Sequence, residues 1–169
     1  MNSDFKEPLN VFNANRVRYL VVGGYAVIEY TEPRYTKDLD LWMSADRENA
    51  AAVFESLREF GAPLVGISTD DFANEELFYQ MGRPPGRVDV LMSIPGVEFE
   101  EAWARRVVIH FEGIAVNLIS RDDLIAAKVA AGRDDDLRDV KALQKAADIT
   151  ANHDRRARPK RGRDRDIER

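Results

Sequence analysis

The 169-residue sequence contains no cysteine and only two histidines, His110 and His153. The first absence excludes disulfides, thiolate catalysis and zinc–cysteine sites. The second argues against a Ser-His-Asp triad and a histidine-rich metal centre, since the two residues lie far apart in the chain. Long apolar runs are also missing. The longest nearly apolar stretch, Tyr19 to Ile28, has ten residues with two glycines inside it, about half of the ~20 needed to cross a bilayer. Met1-Asn2-Ser3-Asp4-Phe5-Lys6-Glu7 lacks the basic-then-apolar order of a secretory signal, so a cytoplasmic location without membrane contact is expected. What is present, 44% hydrophobic and 33% charged residues, is the composition of a globular domain. Its polar chemistry has to come from carboxylates, lysine, arginine and backbone.

Charge is unevenly spread. Residues 151–169 carry eight basic and four acidic side chains, while residues 1–150 carry 17 basic and 26 acidic ones. With Ile167 as its one large aliphatic residue, the last segment buries too little apolar surface to offset its ordering entropy. The expected division is a folded domain over residues 1–150 and a flexible basic tail over 151–169. Such a tail either meets RNA or DNA phosphates or is a solvated, mixed-charge end, the commoner case.

Periodicity predicts a first helix from Asp4 to Arg16, with Phe5, Leu9 and Phe12 inward and Pro8 in the first turn. Tyr19 to Val22 reads as a buried strand running into Gly23-Gly24, with a short helix over Tyr25 to Tyr30. A strand is expected at Asp38 to Met43, then a helix capped by Asp46, running to Phe60 and stopped by Gly61. Residues 62–75 read as irregular. Strands follow near 77–81 and 87–92, a short helix at Phe99 to Arg105, and a hairpin of 107–111 with 114–119 turned by Glu112-Gly113. Ser120 opens a helix that Gly132 ends, and a last helix is expected from Asp134 or Asp135 to about Ala147. Helices alternating with strands, with a hairpin among them, predict an α/β (α+β) fold in which helices flank a mixed sheet.

Four features carry candidate chemistry. The Gly23-Gly24 corner offers backbone N–H groups and a helix N-terminus to a phosphate, although a glycine pair is more often only a turn. Asp38 and Asp40, one residue apart on a strand, share a face. Two carboxylates that close repel unless a cation lies between them, and magnesium prefers oxygen ligands. The bland alternative is a solvated pair facing a lysine such as Lys37. Asp89 sits in an apolar strand, where an unpartnered carboxylate is costly. If that strand adjoins the first, the three aspartates form a cluster able to hold two metals; otherwise Asp89 is a surface residue. Lys128, from a mostly apolar helix, is either a point charge for a polyphosphate or the partner of Asp136.

In this order the residues resemble the DNA polymerase β-type nucleotidyltransferase superfamily. Val22-Gly23-Gly24, Asp38-Leu39-Asp40-Leu41 and Val88-Asp89-Val90 match its glycine corner, paired acids and third acid. Arg34-Tyr35-Thr36-Lys37-Asp38-Leu39-Asp40 matches the Arg-x-Thr-x-Asp-x-Asp form of small bacterial members. Lys128 and the segment Gly132-Arg133 to Asp139 are similar to the last motifs of the abortive-infection (AbiEii-like) toxin nucleotidyltransferases. One departure is Asp135, which stands where that motif has lysine. It bears on toxin-like activity and not on the fold.

The resemblance implies a polymerase β-type fold with C-terminal helices. It implies that Gly23 and Gly24 grip the phosphates of a nucleoside triphosphate, ATP among the candidates. Asp38, Asp40 and Asp89 would hold two Mg²⁺ ions, and Asp89 would help deprotonate the acceptor. Arg34, Lys37 or Lys128 would neutralise the leaving pyrophosphate, Thr36 would orient Asp38, and Asp136 would act as an additional acid/base or orient Lys128. The implied activity is transfer of a nucleoside monophosphate to a hydroxyl on RNA (tRNA among the acceptors), a protein or a small molecule, within a toxin–antitoxin pair or outside one. Two alternatives use the same residues: a non-catalytic nucleotide- or partner-binding module, and a metal-dependent nuclease. The glycine corner argues against the nuclease, which needs no triphosphate cradle.

Overall fold

The computed structural model describes residues 1–157; most of the expected tail, residues 158–169, lies outside the described residues. A 3-10 turn at Ser3–Phe5 leads into α1 (Lys6–Ala14), and β1 (Tyr19–Val22) runs directly into α2 (Gly23–Tyr30). After β2 (Asp38–Met43) come α3 (Arg47–Phe60), a second 3-10 turn at Thr69–Ala73, β3 (Phe78–Met81) and β4 (Arg87–Leu91). The chain ends in α4 (Phe99–Ala104), β5 (Val107–Phe111), β6 (Ile114–Leu118), α5 (Arg121–Ala131) and α6 (Asp134–Ala157).

Local chemistry accounts for the boundaries. Asp46 accepts a hydrogen bond from the Asn49 N–H at the start of α3, and Gly61 closes that helix at φ +85°, a conformation open to glycine without penalty. Ser120 caps α5 in the same way, through the Asp123 N–H. The β5–β6 turn sets both Glu112 (φ +46°) and Gly113 (φ +84°) in the left-handed region, the requirement of a tight two-residue hairpin. Two boundaries differ from the sequence expectation. Helix α2 begins at Gly23 rather than after the glycine pair, because Gly23 reaches φ +64° and lets the chain turn straight into the helix. Helix α6 continues ten residues past Ala147.

The six strands form one mixed sheet in the order β3-β4-β2-β1-β6-β5. Strand β2 pairs parallel with β4 and antiparallel with β1, and β1 pairs parallel with β6. Residues alternate between two faces. One face presents Leu39, Leu41, Val88 and Val90, all buried. On this side Phe72 packs edge-on against both Tyr79 and Phe54, bringing α3 and the second 3-10 turn onto the sheet. Phe12 of α1 lies against Tyr19 of β1. The other face carries Asp38, Asp40 and Trp42, with Phe99 of α4 edge-on to Trp42 at 5.0 Å. One side of the sheet is thus closed by apolar packing, and the other keeps carboxylates at its centre. Leu41 is fully buried on the closed side. Leu41→Ala is expected to cost about 3 kcal/mol, read as a lower urea midpoint at unchanged slope.

Candidate active site

The strand register builds the site. Asp38 and Asp40 lie two apart on β2, and the parallel pairing sets Asp38 opposite Arg87 and Asp40 opposite Asp89 on β4. On its other side Asp40 is opposite Val22, the last residue of β1, which puts the Gly23 corner beside its carboxylate. Oxygens of Asp38, Asp40 and Asp89 lie within 4.8 Å of one another. A Cβ on Gly23 would sit 2.0 Å from Asp40 Oδ2, and one on Gly24 would sit 2.4 Å from Thr36 Oγ1. Both glycines are therefore demanded by close approach, Gly23 by its positive φ as well. Thr36, from the segment before β2, packs closely against Gly24 at the start of α2.

Burial, followed by the charges of Asp38 and Asp89, pushes the Asp40 carboxyl up to about 7, against the opposing pull of Arg87 and Lys128. Three oxygen donors, with no nitrogen or sulfur ligand among them, suit a hard divalent cation such as Mg²⁺. Such an ion would also relieve the repulsion that raises Asp40. By donor chemistry the residues fit the metal that the fold implies.

Arg87 is a site residue that sequence reasoning missed. Its guanidinium bonds to Asp38 and, at 3.0 Å, to Asp89 Oδ2. Gln80 of β3 donates to Asp89 Oδ1 at 3.2 Å. Alternation alone places Arg87 on the face of Asp89, but its meeting with Asp38 depends on the parallel pairing of β2 with β4, which no local signal reveals.

A second polar cluster adjoins the first. Lys128 is buried and lies 3.1 Å from Asp136 Oδ1 and 2.8 Å from Asp139 Oδ2. Of the two sequence readings, the structure realises the ion pair with Asp136 and adds Asp139. Arg34, expected near phosphates, makes a two-pronged contact with Asp139, while Arg133 bonds to Asp136. Burial pushes both carboxyls up, but the bonds from Arg133 and Lys128 to Asp136, and from Arg34 and Lys128 to Asp139, hold them below the ordinary range. Lys37 is exposed. A cavity of about 180 Å³ is lined by Gly23, Asp40 and Lys128 together with the apolar Leu91, Ile94 and Leu124.

A mixed sheet that gathers three aspartates beside a glycine corner at a helix start is the arrangement that the resemblance to nucleotidyltransferases implies. Residues 5–154 match the family described as nucleotidyltransferase of unknown function (DUF6036), and the chain belongs to that family. Among solved structures it is similar to the lincosamide antibiotic adenylyltransferase LnuA in its lincomycin-bound form. That match has 15% identity and a TM-score of 0.52, and covers 86% of this chain and 98% of that one. It is also similar to an antigenic nucleotidyltransferase-like protein from Paracoccidioides brasiliensis, at 15% identity and a TM-score of 0.50 over 91% and 88% of the two chains. These likenesses are of fold. A search of curated proteins finds no significant match. Among the described residues no helix is long and apolar enough to cross a membrane.

Two outcomes follow from this geometry. Gly23→Ala should displace the Asp40 carboxylate and weaken Mn²⁺ binding by about tenfold or more, measurable by calorimetry on protein whose circular dichroism is unchanged. The second concerns acid. Asp139 has a depressed folded pKa, so its contribution to stability is complete above the unfolded carboxylate value near 3.8 and disappears as pH falls through the lower folded value. Asp139→Asn should therefore be clearly less stable than the parent at pH 7. The difference should shrink below pH 4, as read from urea midpoints.

Proposed function

We propose that this nucleotidyltransferase uses Mg²⁺ to transfer a nucleoside monophosphate from a nucleoside triphosphate, ATP being the first to test, to a hydroxyl acceptor, with release of pyrophosphate. The observation that carries this is the meeting of Asp38, Asp40 and Asp89 within 4.8 Å beside a corner where even a methyl group would collide with Asp40. In the reaction the acceptor oxygen bonds to the α-phosphorus, the bridging bond from the α-phosphorus to the β-phosphate breaks, and pyrophosphate carries away the negative charge.

Asp38, Asp40 and Asp89 would hold the ions, two in the full complex. Bound there, the ions supply Lewis-acid polarisation of the phosphoryl oxygens. Backbone N–H groups at Gly23 and Gly24 face the triphosphate at the positive end of α2. Asp89, oriented by Gln80, is placed to take the acceptor proton. Lys128 and Arg34, paired with Asp136 and Asp139, act by fixing α5, α6 and the segment before β2 around the site, with Asp136 orienting Lys128. Lys37, which is exposed, remains for the leaving group.

A small hydroxylated acceptor is in keeping with the antibiotic bound by LnuA. An RNA acceptor and a toxin role with an antitoxin partner rest on the Lys128 and Gly132–Asp139 segments. A second reading, a non-catalytic binding module on the same scaffold, has one observation in its favour: Arg87 already neutralises two of the three aspartates.

The deciding assay incubates the protein with each α-labelled triphosphate, Mg²⁺ and either total RNA or cell extract. Label is expected on an acceptor together with released pyrophosphate. Asp40→Ala and Asp89→Asn should each lower transfer by about 10³-fold. Mg²⁺-dependent triphosphate binding with no transfer to any acceptor would select the binding module instead.

A further inference from the structure

Arg87 is anchored on the same strand as Asp89, two residues away on the same face and directly across from Asp38. One guanidinium nitrogen bonds to both Asp38 Oδ2 and Asp89 Oδ2, and Nε lies 2.9 Å from Asp89 Oδ1. Among the described residues its bonds go to these two carboxylates and not to Asp40. Three carboxylates drawn this close would repel one another strongly in a chain without a cation. The planar, permanently charged fork of arginine is well suited to bridge two of them. Asp38 and Asp89, which it engages, are two of the three residues whose oxygens lie within 4.8 Å of one another.

From this juxtaposition we infer that Arg87 is a built-in counter-ion: it holds the triad together before metal arrives, and a divalent ion must displace it from Asp38 and Asp89 to be fully ligated. The inference rests on the metal-dependent function proposed above and adds what sets the affinity and order of loading. Asp40, outside the grip of Arg87, is where an ion first engages. Asp89 and the remaining face of Asp38 become available only when the guanidinium leaves.

Two details suit a contact built to be released. The Arg87 Nε is buried yet makes no well-aligned hydrogen bond, despite its short distance to Asp89, so part of the bonding capacity of the guanidinium is unused in the closed arrangement. Gln80 donates independently to Asp89 Oδ1 and keeps that carboxylate directed at the site once the arginine has moved. Arg87 is thus a positioning residue that both organises the triad and competes for it.

The test is Mn²⁺ binding to nucleotide-free protein, followed by calorimetry and by the electron paramagnetic resonance of free Mn²⁺, in the parent and in Arg87→Gln. The variant should bind Mn²⁺ at least about tenfold more tightly. Its melting temperature should be lower than the parent's in EDTA and should rise more on addition of Mn²⁺. Equal or weaker affinity in a folded variant overturns the inference.

A measurement on the unmodified chain keeps the idea open to refutation if the variant does not fold. The Arg87 Nε–Hε resonance, assigned by its loss in Arg87→Lys, should shift on saturation with Mg²⁺. If it stays in place while the Asp40 carboxyl signal moves, the exchange does not occur. Tighter Mn²⁺ binding by Arg87→Gln without nucleotidyl transfer by the parent would support the exchange and remove the enzymatic reading, so the two fail separately. Absence of ion binding in both proteins would overturn both.

Discussion

Three carboxyl groups held within 4.8 Å of one another are the constraint around which the rest of this chain is arranged. Strand geometry imposes it: residues two apart on β2 share a face, and the parallel register with β4 adds Asp89 beside Asp40. Nothing in the packing of the opposite face requires it, since Leu39, Leu41, Val88 and Val90 would be buried equally well behind neutral residues. The repulsion is partly relieved by keeping a proton on Asp40 up to about pH 7 and partly by the cation of Arg87. Under the proposed function each would be withdrawn when a divalent ion binds, which would link metal affinity, protonation and the position of Arg87 through a single electrostatic balance.

The surrounding structure is organised to keep that balance in place. Gly23 lets the β1–α2 corner come within contact of Asp40, and Gly24 does the same for Thr36. Lys128 of α5, Asp136 and Asp139 of α6, and Arg34 from the segment before β2 form one ion cluster joining three parts of the chain. Asp136 is held by both Lys128 and Arg133, and Asp139 by both Lys128 and Arg34, so the contacts support one another. The cluster therefore fixes the helices relative to the strand that carries the acids. That structural task accounts for a buried lysine without asking it to meet substrate.

Much of this was legible in the sequence because the signals are local. The 3.6-residue and 2-residue periods, Asp46 and Ser120 as caps, and Glu112-Gly113 as a turn each act over a few residues, and the elements fell where these indicate. The glycine corner and the Asp38/Asp40 pair were readable for the same reason. What escaped was set by pairing between distant segments. Arg87 looked like the polar start of a strand until the β2–β4 register put it across from Asp38. Asp139 closed a legible motif, but its pairing with Lys128 and Arg34 depends on α6 folding back on them. The length of α6 escaped for a different reason: its polar, alanine-containing last turns carry no apolar stripe that would distinguish helix from loop.

The placement of positive charge bears on how a polyphosphate would be met. A sequence reading distributes that task over Arg34, Lys37 and Lys128, yet Arg34 and Lys128 are already committed to Asp136 and Asp139, and Arg87 to the triad. Diverting any of them to a substrate would take one cationic partner from a carboxylate that is buried in the case of Asp136, Asp139 and Asp89. Among the described residues, the positive charge left to face a triphosphate is then the N-terminal end of α2 and exposed side chains such as Lys37. Neither matches the charge of a triphosphate, since a helix terminus supplies only about half an elementary charge and an exposed lysine is screened by solvent. The deficit is what ions carried by Asp38, Asp40 and Asp89 would fill, so under the proposed function the triad would serve both to bind the substrate and to transform it.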